Sequence, residues 1–119
     1  MDKDAMRRRT MQFGLDVIRL VESLPDGRTT SVLGRQLLRS GTSVGANYRA
    51  ACRAKSSADF ISKMGTVEEE SDEAVYWLEM LTEARVADPV NTKALIREGN
   101  EILAITVASI KTVRRNRNP

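Results

Sequence analysis

Between residues 60 and 81, Phe60, Met64, Val67, Ser71, Ala74, Leu78 and Leu81 return at alternating steps of four and three. A seven-residue apolar repeat of this kind keeps one seam of an α-helix turned toward a neighbour. It suits helices that pack nearly parallel, crossing at about 20°. A strand would need a period of two. Three more segments carry the helical period: Phe13, Val17, Leu20, Val21 and Leu24 in the first, and Leu33, Leu37, Val44, Tyr48 and Cys52 in the second. Leu95, Ile102, Ile105, Ile110 and Val113 mark the last.

The breaks between segments have their own chemistry. Pro25-Asp26-Gly27 stops the first helix, because proline cannot continue one and Asp-Gly favours a turn. Ser56 followed by Asp59 resembles a capping box. Asp88-Pro89 places a cap before a proline at the first helical position. The predicted helices span about 4–24, 29–55, 58–85 and 89–115. Short connections force such helices to alternate in direction. The 119 residues therefore predict one all-α domain over 1–119, an antiparallel up-down-up-down four-helix bundle.

Glycines 34, 41 and 45 fall inside the second helical pattern, where each costs about 1 kcal/mol relative to alanine. With Ser40, Ser43 and Ala46, the pair Gly41 and Gly45 forms a smooth patch suited to close approach by another helix. A locally weak or kinked helix is the plainer alternative.

The residue inventory argues against catalysis. The chain has no histidine and one cysteine. That removes the usual general base, the Ser–His and Cys–His nucleophile arrangements, and zinc sites of thiolate or imidazole type. The glycines lie in a helical pattern with no preceding strand, unlike a phosphate-cradling loop. Glu69 and Glu73 share a helix face, but di-metal carboxylate bundles pair such glutamates with histidines. No metal, cofactor or catalytic residue is expected. Cys52 reads as a small core residue. A lone cysteine, no apolar run of about 20 residues and no signal-peptide pattern predict a cytoplasmic protein rather than a membrane protein.

The formal net charge is only +3, yet the predicted topology polarises it. One end of the bundle gathers the start of helix 1, the end of helix 2, the start of helix 3 and the end of helix 4. Twelve cations fall there: Lys3, Arg7, Arg8, Arg9, Arg49, Arg53, Lys55, Lys63, Lys111, Arg114, Arg115 and Arg117. Against Asp2, Asp4 and Asp59 they leave +9 on that end and −6 on the rest of the chain. Such an end is a footprint for polyanions, nucleic-acid phosphates above all. Arg7, Arg8, Arg9, Arg49, Arg53, Lys55, Lys111, Arg114 and Arg115 are the candidate phosphate contacts. Cations also favour helix C-termini through the macrodipole, and no aromatic platform is interleaved here.

The run from Gln36 to Arg49, QLLRSGTSVGANYR, with Asp59-Phe60, Lys63 and Glu73…Trp77-Leu78 downstream, resembles the four helix bundle protein family. That family includes proteins encoded within intervening sequences of bacterial 23S rRNA genes. It is related to the accessory variability determinant proteins of diversity-generating retroelements. The resemblance covers nearly the whole chain and implies an antiparallel bundle assembled as a ring-like homopentamer. It implies no enzymatic activity, a nucleic-acid-binding role, RNA or DNA, and for the retroelement relatives a reverse-transcriptase partner. The alternative function is a protein-interaction adaptor for a reverse transcriptase or another larger partner. Among the matching residues, Arg39 is expected to pair with Glu69 or Glu73 across helices 2 and 3, fixing register. Asn47 needs amide partners if buried. Ser40, Gly41, Ser43, Gly45 and Trp77 complete the structural or interface set.

Overall fold

The computed structural model describes residues 2–117. Its four helices are α1 (Lys3–Ser23), α2 (Arg28–Cys52), α3 (Ser57–Glu83) and α4 (Pro89–Arg117). Three of the four starts have a side-chain cap, and α2, which begins after Gly27, has none. The Asp2 carboxylate accepts from the Ala5 amide at 2.7 Å. Ser56 Oγ accepts from the Asp59 amide at 3.0 Å, while the Asp59 carboxylate reaches back to the Lys55 amide at 3.1 Å. Asp88 Oδ1 accepts from the Val90 amide at 2.9 Å. These side chains satisfy amides that have no partner inside the helix.

Two helix ends fall earlier than their periodicity predicts. After Cys52 the chain tightens through Arg53 N to Ala50 O and Ala54 N to Ala51 O, which releases Ser56 to cap α3. Helix α3 stops at Glu83 in a Schellman motif: Val86 N bonds Leu81 O and Arg85 N bonds Thr82 O. Arg85 occupies the left-handed position, φ 59°, where glycine is usual. No glycine marks that end in the sequence, so the cap is invisible there.

Neighbouring helices pack in chain order around a square, and α4 closes back onto α1 along the loosest seam. The diagonal pairs have no close backbone approach. The result is an antiparallel four-helix bundle 52 Å long and about 20 Å across. Phe13, Val17, Leu37, Val44, Met64, Val67, Leu78, Leu81 and Ile102 are at most 1 % exposed. Each contributes about 1.5–3 kcal/mol of transfer free energy. Buried hydroxyls in this core turn back on their own helices: Thr10 to Met6 O, Ser40 to Gln36 O, Ser71 to Val67 O and Thr106 to Ile102 O. No buried polar side-chain atom among the described residues lacks a partner.

Glycine governs the α1–α2 seam. A Cβ on Gly41 would lie 2.9 Å from both Val17 methyls, and one on Gly45 would lie 3.3 Å from the Thr10 backbone. The small patch thus brings α1 against α2 within one chain. Gly99 does the same for α4, where a Cβ would lie 2.6 Å from a Val75 methyl.

Candidate nucleic-acid interface

Alternating helix direction puts the N-termini of α1 and α3 beside the C-termini of α2 and α4. Arg7, Arg8, Arg49, Arg53, Lys55, Lys111, Arg114 and Arg115 are all exposed. Their surroundings divide them. Arg7, Arg49 and Arg53 line one groove between α1 and α2. Arg8 lines another, between α1 and α4. Lys111, Arg114, Arg115 and Arg117 ride the last turns of α4, which at 29 residues outruns the 21 of α1. At about 1.5 Å per residue, α4 is about 12 Å longer than α1. Its C-terminal carbonyls favour these cations.

Arg9 is not available in the way the charge tally suggests. Its guanidinium forms a two-pronged pair with Glu98, Nε to Oε2 at 2.7 Å and Nη2 to Oε1 at 2.8 Å. It also bonds Glu101. Bonding to Glu98, then its charge and those of Glu101, holds the proton more firmly still. Arg9 is a strut across the loose α1–α4 seam. It also draws two carboxylates of the body to the basic end, so the charge separation is weaker than +9 against −6.

Other cations there are paired along the surface: Arg7 with Asp4, and Lys63 with Asp59 at 2.6 Å. The Lys63 ammonium, then the Lys55 amide, holds the Asp59 carboxyl below its usual range. Among the described residues, Lys3, Arg8, Arg49, Arg53, Lys55, Lys111, Arg114, Arg115 and Arg117 form no ion pair. Tyr48, next to Arg49 in the chain, is buried, and burial pushes its hydroxyl up to about 12. It stays neutral and offers no stacking face.

The motif residues of α2 and α3 build a bracket on the bundle's flank. Arg39 donates to Glu70 at 3.2 Å and to Glu73. Trp77 Nε1 donates to Glu73 at 3.2 Å. The Arg39 bond, then the Trp77 bond, holds the Glu73 carboxyl below the usual glutamate range. Glu69, exposed one turn before Glu73, forms no ion pair with Arg39, which corrects one of the two expected partners. The bracket is half exposed rather than buried. Asn47, half-buried, donates to Ser43 O within its own helix at 2.8 Å. Ser40 and Gly41 are buried; Ser43 and Gly45 are half-buried.

Sequence reasoning missed a second apolar stripe on α1. Met11, Leu15 and Ile18 are 62 %, 39 % and 37 % exposed and floor the Arg7–Arg49–Arg53 groove. Their spacing of four and three was visible, offset from the core stripe of the same helix.

These features define an all-helical bundle with cations gathered at one end and no helix long and apolar enough to cross a membrane among its described residues. The chain belongs to the 23S rRNA-intervening sequence protein family, whose profile matches residues 3–108. A solved structure from Bacteroides thetaiotaomicron VPI-5482, described as a protein of unknown function from the S23 ribosomal protein family, is similar to it. The two share 32 % identity over 93 % of this chain and 99 % of that one, with a TM-score of 0.86. No curated protein matches the chain.

Proposed function

We propose that this chain is a non-enzymatic, homo-oligomeric protein of the bacterial cytoplasm that binds nucleic acid through the basic end of its bundle. The observation that carries the reading is the cluster of exposed cations at that end without an ion-pair partner among the described residues, led by Lys111, Arg114, Arg115 and Arg117 on the last turns of α4. Cations held on a rigid helix can track a phosphate backbone. Without aromatic platforms, the binding is dominated by charge rather than base readout. Membership in a family named for 23S rRNA intervening sequences favours RNA over DNA. The exposed Met11–Leu15–Ile18 stripe supports self-association, and a homopentamer is the state the resemblance implies. One half-buried, unpaired cysteine suits a reducing compartment.

Fluorescence anisotropy with labelled RNA across a salt series tests it. Affinity falls steeply with salt, and Arg114→Ala/Arg115→Ala lowers the slope of log affinity against log salt by about 2. Arg28→Ala, at the opposite end, leaves binding unchanged. Arg9→Gln leaves the slope unchanged as well, because Arg9 is spent on Glu98 and Glu101. Affinity indifferent to salt, or equal losses in all three variants, refutes the reading. The second reading, an adaptor for a larger protein such as a reverse transcriptase, is favoured by the same apolar stripe. Recovery of one protein partner and no nucleic acid from cells would select it.

A further inference from the structure

We infer that the arginine-rimmed groove between α1 and α2 seats the acidic outer ridge of α3 from a second copy of this chain, an inference that rests on the homo-oligomeric half of the reading above. The groove holds about 530 Å³. Its floor is Met11, Leu15 and Ile18 on α1 with Gly14, Gly45 and Ala46 between them, and its rim is Arg7, Arg49 and Arg53. Arg49 and Arg53 have no carboxylate partner among the described residues. A floor this apolar with a rim this basic fits a helix that is acidic along its flanks and apolar at its centre.

The chain carries one such surface. From Met64 to Glu83, α3 has seven carboxylates and no lysine or arginine. Glu70 and Glu73 are taken by Arg39. Glu69, Asp72, Tyr76, Glu79 and Glu83 follow at steps of three and four, are all exposed, and form one outward face about 21 Å long. None of these four carboxylates has an ion-pair partner among the described residues. Tyr76, 52 % exposed, supplies the apolar centre. Its ring stands edge-on to Trp77 at 5.0 Å, and Trp77 is held in turn by Glu73.

Topology sends the ridge to a different molecule. Helix α3 lies beside α2 and α4 and diagonally across the core from α1, so its outward face points away from the groove of its own chain. Charge excludes the symmetric pairings. Groove on groove would gather six arginines, and ridge on ridge eight carboxylates, with like charges opposed at close range. Groove on ridge neutralises both and buries Met11, Leu15, Ile18 and Tyr76 together. Such a contact is heterologous and propagates from copy to copy until it closes as a ring. It also divides the basic end by task. Arg7, Arg49 and Arg53 face protein in the assembly, and phosphate binding falls to Lys111, Arg114, Arg115 and Arg117.

Sedimentation of the full-length chain without nucleic acid tests this. The wild type assembles. Arg49→Glu/Arg53→Glu and Glu79→Arg/Glu83→Arg each weaken association by about tenfold or more per reversed residue and sediment as monomers. The chain carrying all four changes assembles again, because the two reversed arginines meet the two reversed carboxylates while Arg7 keeps Glu69 and Asp72. Circular dichroism confirms that each variant remains helical. A wild type that is monomeric at every concentration, an unchanged assembly in either double variant, or a folded fourfold variant that stays monomeric overturns the inference. RNA binding is measured separately on the same proteins. A restored assembly in a chain that binds no RNA supports this contact while refuting the nucleic-acid reading.

Discussion

Replacing Gly41 by alanine tests whether the α1–α2 seam is set by close backbone approach. The new Cβ would sit 2.9 Å from both Cγ methyls of Val17 and 3.2 Å from its Cβ, where carbon atoms prefer about 3.5–4.0 Å. Turning Val17 about χ1 gives no relief, since the Cβ itself is too near and the side chain is fully buried. Overpacking of this kind costs about 1–3 kcal/mol. Against it stands a gain of about 1 kcal/mol from alanine over glycine within a helix. The net expectation is a loss of about 1 kcal/mol. Gly65 is the internal comparison, because a Cβ there would meet nothing within 4 Å. Gly65→Ala should therefore gain about 1 kcal/mol, placing the two variants about 2 kcal/mol apart with opposite signs. Urea unfolding followed by the emission of Trp77, the single tryptophan, resolves a difference of this size as a midpoint shift of about 1 M. Protein concentration is held fixed, since association would add to stability. Gly41→Ala as stable as the wild type at unchanged m-value would refute the argument. So would strict additivity between Gly41→Ala and Val17→Ala, which share the one contact.

Two further predictions concern stability. Arg85 holds a left-handed conformation at φ 59°, which costs a residue with a Cβ about 1–2 kcal/mol. Arg85→Gly should raise stability by about 0.5–1 kcal/mol net of the extra unfolded-state entropy, seen as a Tm higher by about 2–6 °C; a lower Tm would show that the Arg85 side chain matters more than its backbone. With pH, the carboxyls of Glu73 and Asp59 both lie below their ordinary range, so they stabilise the fold above the unfolded values of about 4 and lose that contribution as pH falls through the folded ones. At the other extreme, the Tyr48 hydroxyl, pushed up to about 12, stabilises the fold below about pH 10 and loses that contribution above it. Unfolding midpoints against pH should show a plateau with an acid limb that Arg39→Gln softens and an alkaline limb that Tyr48→Phe removes. Limbs identical in the variants and the wild type would count against these assignments.

The helices and their order are legible because their causes are local. Ser56 with Asp59 and Asp88 with Pro89 are read within four residues, and the stripe from Phe60 to Leu81 needs only its own spacing. Short connections then leave one order of directions. Even the role of Gly41 and Gly45 follows from small side chains on one face.

What the sequence could not supply depends on how each helix is rotated about its axis and which distant residue it meets. Successive residues on a helix differ by about 100° in direction, so Glu70 joins Arg39 while Glu69, one position earlier, is left on the exposed ridge. The Arg9 pair with Glu98 joins positions 89 residues apart in the chain and withdraws an arginine that charge counting had assigned to phosphate. Gly99 earns its place only against Val75 of the neighbouring helix. The basic end itself was foreseeable from topology and charge. Its division into a groove rim, a strut and the last turns of α4 was decided by packing, because only packing determines which side of each helix remains open to a partner.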